Sequence, residues 1–272
     1  MNDQHIRPKK SLGQNFLKDP HYLKKIVDAA NIGPVDQVLE IGPGLGHLTR
    51  ELAARAGRLL AIELDERLIE RLRPDFAEAS NVTIVHGDAL EYPFETLEGR
   101  WKVVANLPYY ISTPIIQRLI RFREKFTTLT LMLQKEVAER IAAPPGGKEY
   151  GYLSVLVQFY TAPRMEFTVP AGAFTPAPEV DSAVLTLRVR ERPAAPVRDE
   201  DFLIIVVKAA FSQRRKTLRN ALKKLGLSGE VMDRLHAAIG IDPGRRAETL
   251  SVEDFCRLAD FSQGEAPEKT RE

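Results

Sequence analysis

Most of the chemistry this chain can do is concentrated in one short segment, Ala105-Asn106-Leu107-Pro108-Tyr109-Tyr110. Asn106 offers a side-chain oxygen as an acceptor, and Leu107 and Pro108 offer backbone carbonyls; Pro108 brings no competing N–H and stiffens the loop. Acceptors grouped in this way suit an exocyclic amine such as that of adenine. Its lone pair is delocalised into the ring, and hydrogen bonds to its hydrogens favour the pyramidal, nucleophilic geometry. Tyr109 adds an aromatic face for a base drawn out of its stack. Attack of such an amine on a sulfonium methyl needs no prior deprotonation, because the nitrogen becomes acidic only once alkylated, so the site works mainly by positioning. The plainer alternative is a proline-induced turn after a strand, with the tyrosines packed on a core.

A second group of residues lies upstream. Gly42, Gly44 and Gly46 form a strand-to-helix turn in VLEIGPGLGHLTREL, where backbone can approach a nucleoside closely. The G-x-G-x-x-G spacing of a pyrophosphate cradle is broken, because His47 stands three residues after Gly44. Pro43 biases Gly42 toward an extended conformation and stiffens the turn. About twenty residues on, Glu63 ends the next aliphatic run and is placed to accept hydrogen bonds from both hydroxyls of a ribose. Gly87 and Asp88 follow the third run, where a carboxylate accepts from an adenine amino group, and Asn106 ends the fourth. A polar residue at the end of each of four successive runs describes an adenosine without phosphates. S-adenosyl-L-methionine fits that description.

These residues need a frame to hold them. Short aliphatic runs at Val38 to Ile41, Leu59 to Glu63, Val82 to Val85, Lys102 to Ala105 and Thr128 to Leu133 alternate with segments of helical period at His47 to Ala56, Glu66 to Phe76 and Pro114 to Phe122. This is a succession of βα units, hence a parallel sheet covered on both faces with ligands at the carboxyl ends of its strands. Past Lys135 come a helix (Glu136 to Ala142), a Pro-Gly loop, an apolar stretch from Leu153 to Tyr160 and a strand-like alternation from Ser182 to Arg190, which would complete the sheet with antiparallel strands. The proline-rich ERPAAPV, Glu191 to Val197, reads as a linker. A methyl-transfer domain over 1–192, a helical domain over 198–262 and a disordered tail over 263–272 follow from this pattern.

With 272 residues and 44% hydrophobic composition, the chain has enough apolar surface for two cores. No apolar run approaches the ~20 residues needed to cross a bilayer, and the start offers no secretory signal, so a cytoplasmic protein is expected. The single cysteine, Cys256, excludes internal disulfides and cysteine-based zinc sites, and no metal is expected. It also lies in the wrong domain to serve as the nucleophile of pyrimidine carbon-5 methylation. Net charge is only +2, so the distribution of charge matters more than the total. Arg7, Lys9 and Lys10 form one basic cluster; Arg214, Arg215, Lys216 and Arg219 belong to a second, acid-free run from Lys208 to Lys224. Both are candidate RNA contacts or else solvated faces. Read as helix, the second run puts Arg215 and Arg219 on one face, with Arg214 and Lys216 diverging to either side.

QNFL (Gln14 to Leu17), EIGPGLG, Glu63, GDAL and NLPYY, in this order, resemble the ribosomal RNA adenine dimethyltransferases, as do FTPAPEVDSAVL and FSQRRKTLRNAL further on. The resemblance covers nearly the whole chain. It implies a Rossmann-like class I methyltransferase sheet with a small all-helical C-terminal domain. It further implies a monomer that dimethylates two adjacent adenosines in the 3′-terminal hairpin loop of 16S ribosomal RNA within an immature 30S subunit. Asn15 and Leu17 would close over the cofactor, Gly42 and Gly44 would border its methionine or ribose part, and Phe174 would stack on the target base opposite Tyr109. GPGLG and RRKTLRN favour the 16S enzymes over the 23S methylases, which are similar in QNF and Asn-x-Pro-Tyr. A DNA adenine methyltransferase would share both sites, but normally carries proline where Leu107 stands and has a larger recognition domain. A non-catalytic assembly factor that binds the cofactor only structurally is the rival from another class.

Overall fold

A computed structural model describes residues 8–9, 12–213 and 215–265. Among these residues the chain divides into two compact units. One runs up to Ala138 and includes Pro163–Val189; the other joins Glu139–Ala162 to the residues from Arg190 onward.

The first unit is built on strands β2 (Gln37–Ile41), β3 (Arg58–Glu63), β4 (Val82–His86), β5 (Trp101–Asn106) and β6 (Phe126–Gln134), all parallel. β9 (Ser182–Val189) pairs antiparallel with β6, and β7 (Thr161–Val169) closes the order β4-β3-β2-β5-β6-β9-β7. The central strands are buried because aliphatic side chains point to both faces. Helices α2 (His47–Ala53), α3 (Glu66–Asp75) and α4 (Ser112–Arg121) are the crossovers. Register aligns the carboxyl ends: Ile41 stands beside both Ile62 and Ala105, and Glu63 beside His86. Hydrogen bonds from Gly42 N to Ile62 O and from Gly87 N to Glu63 O, each 2.9 Å, carry the ladder one residue past the strand ends and fix where both loops begin.

Helix α1 (Pro20–Ala30), an element not among those expected from the sequence, precedes β2. Asp19 caps it by accepting from His21 N, Pro20 opens it, and Leu23, Ile26, Val27 and Ala30 give it a buried stripe. Before it, β1 (Phe16–Leu17) pairs antiparallel with β8 (Phe174–Thr175) and sets Leu17 opposite Phe174.

The stretch 153–160 corrects the sequence reading. It is not a strand but helix α6 (Tyr152–Tyr160), buried almost all round in the second unit. An unbroken apolar run has no period to tell helix from strand. Its polar side chains satisfy the end of helix α5 (Lys135–Ala142): Ser154 Oγ donates to Arg140 O, and Gln158 Nε2 donates to Ile141 O and Ala143 O. The domain expected over 1–192 therefore gives up 139–162 to the second unit. The proline-rich linker packs there as well, with Ala194 N donating to Phe159 O.

Helices α7 (Glu200–Phe211), α8 (Leu218–Ala221), α9 (Gly229–Ile239) and α10 (Val252–Glu265) complete this unit. Residues 263–265, expected in a disordered tail, instead end α10: Gln263 donates to Asp199 and Glu265 pairs with Arg234, while 266–272 lie outside the described residues.

Candidate active site

At the carboxyl ends of β2, β3, β4 and β5 a cavity is lined by Asn15, Gly42, Gly44, Glu63, Asp88, Asn106, Leu107, Pro108 and Tyr109. Nine of the residues singled out from the sequence thus meet in one place. Two do not. Leu17 lines a smaller adjoining cavity that shares Phe16, Gly42, Gly44 and Asn106 with the main one. Phe174 is 4% exposed and sits in the core with Val169 and Val184, so in this conformation it presents no face to a base.

Local geometry explains the glycines. Gly42 has φ +70° and Gly44 has φ +60°, so Gly42 is left-handed rather than extended as its place before Pro43 suggested. A β-carbon on Gly44 would lie 3.1 Å from the Phe16 ring, which closes one side of the cavity. His47, where a phosphate cradle would want glycine, instead has Nδ1 3.1 Å from Leu17 O and ties helix α2 to β1.

Glu63 is 6% exposed. Its Oε2 accepts from Gly44 N at 3.0 Å and its Oε1 from Asp65 N at 2.9 Å. Burial pushes its pKa up, and the backbone donors of Asp65 and Gly44 pull against that shift. A carboxylate has about four acceptor sites, so with backbone donors from Asp65, Gly44 and Leu64 it can still take a hydroxyl donor. Asp88 accepts from Leu90 N through Oδ1. Asn106 Nδ2 donates to Asn15 O at 3.2 Å, which leaves Oδ1 as the acceptor offered to a ligand. Of the two backbone acceptors expected, Pro108 O receives Ile111 N in a tight turn and keeps a second lone pair, and Leu107 is anchored by its own N–H to Met132 O; both residues line the cavity. Tyr109 is hydrogen-bonded through its hydroxyl to Ser182 Oγ at 2.8 Å, and burial raises its pKa, so it serves as a ring and not as a base.

Several neighbours escaped the sequence reading. Phe16 and Tyr110 line the cavity. Glu40, the acid two residues before Gly42, is 1% exposed and borders the smaller cavity, with Oε2 lacking a hydrogen-bond partner and burial raising its pKa to about 8. Asp65 anchors the cavity's outer edge by accepting from Arg67, Gln14 and Lys9, and Arg67 above all holds its carboxyl well below the usual range.

The basic clusters are placed unevenly. Lys9, expected to contact RNA, pairs with Asp65 at 3.2 Å while keeping a 45% exposed side chain. Arg215 and Lys216 are exposed but stand in the turn between α7 and α8, not on a helix, so the shared face expected for Arg215 and Arg219 does not exist. Arg219 pairs with Asp233 at 2.6 Å. Arg7, Lys10 and Arg214 lie outside the described residues. No group of three or more His, Cys, Asp or Glu that could hold a metal occurs among the described residues. Cys256 is buried in the helical unit, with its thiol pushed up to about 12.

The donors and acceptors at the strand ends fit an adenosyl ligand. Glu63 suits the ribose, Asp88 the adenine amine, and the partnerless oxygen of Glu40 suits a cationic end in the smaller cavity. A parallel sheet of this order carrying such a site defines a class I, S-adenosylmethionine-dependent methyltransferase. Residues 6–263 match the family model described as ribosomal RNA adenine dimethylase, and the chain belongs to that family. It is 51% identical over 271 residues to the ribosomal RNA small subunit methyltransferase A of Moorella thermoacetica, covering 95% of this chain and 94% of the relative. Among solved structures it is similar to a dimethyladenosine transferase from Plasmodium falciparum, at 29% identity and TM-score 0.74 over 89% of this chain and 95% of that one. It is also similar to the 23S rRNA methyltransferase ErmE, at 25% identity and TM-score 0.73 over 92% and 100%.

Proposed function

We propose that this protein transfers methyl groups from S-adenosylmethionine to N6 of two adjacent adenosines in the 3′-terminal hairpin loop of 16S ribosomal RNA, acting as a cytoplasmic monomer on an immature 30S subunit. The observation that carries the chemistry is the orientation of Asn106. With Nδ2 engaged by Asn15 O, its Oδ1 is left for the target amine, in a cavity that Leu107 also lines. The choice of the small subunit over the large one rests on the relative at 51% identity, against 25% for the 23S enzyme.

The cofactor supplies an electrophilic methyl on a sulfonium. Everything else falls to the chain. Glu63, Asp88 and the glycine turn hold the ligand; Asn106 Oδ1 and Leu107 O hold the amine hydrogens and orient the nitrogen lone pair toward the methyl. Tyr109 offers its ring to the base. After transfer the alkylated nitrogen is acidic and loses its proton to solvent, so the acceptor loop needs no general base. A second transfer to the same nitrogen requires only that one acceptor still grip the remaining N–H.

The test is incubation with methyl-labelled cofactor and, separately, immature 30S particles, naked ribosomal RNA and duplex DNA. Label confined to the particle's small-subunit RNA supports the reading. Label on DNA points to the DNA-methyltransferase alternative, and cofactor binding without any transfer points to a non-catalytic assembly factor.

A further inference from the structure

Among the described residues, five large hydrophobic side chains are strongly exposed: Val35, Leu64, Tyr110, Met165 and Val180. Two of them, Leu64 and Tyr110, line the main cavity. A singly exposed aliphatic side chain is ordinary, but an exposed aromatic ring at the mouth of a cavity that admits a base offers a stacking face. Tyr110 is 55% exposed and directly follows the half-buried Tyr109.

The ring is held rather than loose. A β-carbon built on Gly13 would come within 3.1 Å of Tyr110 Cδ1 and 3.4 Å of Cε1, so one side of the ring rests against glycine backbone that has φ +56°. Below it, Tyr109–Ile111 forms a single 3-10 turn closed by Ile111 N to Pro108 O and Ser112 Oγ to Tyr109 O, leading straight into helix α4. The two tyrosines therefore differ in what they can do. Tyr109 is fixed by its hydroxyl to Ser182 and faces the cavity; Tyr110 is fixed by its ring edge and keeps the rest of the ring in solvent at the cavity mouth.

We propose that Tyr110 is a stacking platform for the nucleobase adjacent to the target adenosine, holding the strand at the cavity mouth while the target base is inside. A base drawn into the cavity leaves its neighbour in the strand unstacked on one side, within a nucleotide's reach of the mouth, and an aromatic ring there restores the missing stacking without regard to sequence. Tyr110 is a positioning residue, distinct from the acceptors that touch the amine. The proposal rests on the reading that an RNA strand delivers an adenine to this cavity.

The experiment uses the full chain with reconstituted immature 30S particles carrying 2-aminopurine beside the target adenosine, whose fluorescence falls on stacking. Tyr110→Ala is expected to raise KM for the particle about five- to fiftyfold with a smaller change in kcat, to leave cofactor affinity unchanged, and to restore 2-aminopurine fluorescence. Tyr110→Phe, which keeps the ring, returns both KM and quenching to wild type. Wild-type KM and undiminished quenching in Tyr110→Ala overturn the proposal while leaving the methyl-transfer reading intact. A wild-type protein that transfers no methyl to the particle overturns that reading instead, and this inference with it.

Discussion

The strand-end cavity and the basic segment after helix α7 are equally conspicuous in the sequence, yet the structure treats them differently. In the cavity, Gly42, Glu63, Asp88 and Asn106 come together because parallel register leaves little freedom at a strand's carboxyl end. Once Ile41, Ile62 and Ala105 are neighbours, the next residues must meet. In the basic segment the backbone is held by Leu218 N to Arg245 O and Arg219 N to Pro243 O, but no parallel register aims the charged side chains at one place. Arg215 and Lys216 sit in a turn, and Arg219, on the helix that follows, is drawn to Asp233. Residue type indicates chemistry in both regions, but only where backbone geometry is over-determined does it also indicate position.

If that contrast holds, the largest effect belongs to Asn106. Asn106→Ala removes the side-chain acceptor for the amine and the hydrogen bond to Asn15 O, and methyl transfer should fall by about two to three orders of magnitude, the range seen when one preorganised transition-state partner is deleted. Cofactor binding should weaken but remain measurable by calorimetry, because Glu63 and Asp88 are untouched. Near-normal turnover would remove Asn106 from the catalytic role.

Glu63→Ala comes next. The substitution strips a charged acceptor from the ligand and also frees the N–H groups of Gly44 and Asp65, so the dissociation constant for S-adenosylmethionine should rise about ten- to a hundredfold. Unchanged affinity would move the ribose site elsewhere.

Glu40 sharpens the comparison through pH. Its carboxyl would ionise near 4.5 in the unfolded chain, whereas burial holds it protonated in the fold up to about 8. The unfolded state therefore releases the proton first, and the apoprotein should be most stable below pH 4.5 as far as this group is concerned, losing stability as pH rises toward 8. Glu63, shifted in the same direction, adds to the slope. Glu40→Gln should flatten the slope and stabilise the apoprotein at about pH 7 by about 1 to 3 kcal/mol in urea unfolding. An equally steep pH dependence in the variant would show that the carboxyl is not held neutral.

The smallest effects belong to the basic turn. Neutralising Arg215 and Lys216 together should reduce the salt slope of particle binding by about 0.7 to 0.9 for each phosphate that they neutralise, and Arg219→Gln should do less because Asp233 already holds its guanidinium. Cofactor affinity should not change. Wild-type salt slopes in both variants would establish these residues as a solvated face.

The sheet is legible because β-branched runs recur with helical crossovers between them, and six of its seven strands lie within about two residues of the runs that mark them. The capped helix after Asp19 is legible as well, since Asp-Pro opens it and Leu23, Ile26, Val27 and Ala30 follow at helical spacing, although no aliphatic run precedes it to mark a βα unit. Other elements outside that rhythm are harder to see. β7 carries Pro163, which argues against a strand in the interior but is tolerated at the sheet edge where it lies. At the site, family resemblance implies roles for Phe174 and Leu17; pairing between β1 and β8 packs Phe174 into the core, while Leu17 lines the smaller cavity beside Gly42 and Gly44. Glu40 gives no sign of itself, because an acid inside an aliphatic run does not reveal which cavity it borders.

That the acceptors around Asn106 serve adenine dimethylation on small-subunit RNA is tested most directly by mass spectrometry of ribonuclease fragments, which keep each modified base in its sequence. The 16S RNA would be recovered from immature 30S particles after reaction with the wild-type protein and S-adenosylmethionine. Two adjacent N6,N6-dimethyladenosines are expected in the 3′-terminal hairpin loop, and none with Asn106→Ala under conditions where that variant still binds cofactor. Methylation at another base or atom, or the same dimethyladenosine yield from the variant, would contradict that role for the acceptors.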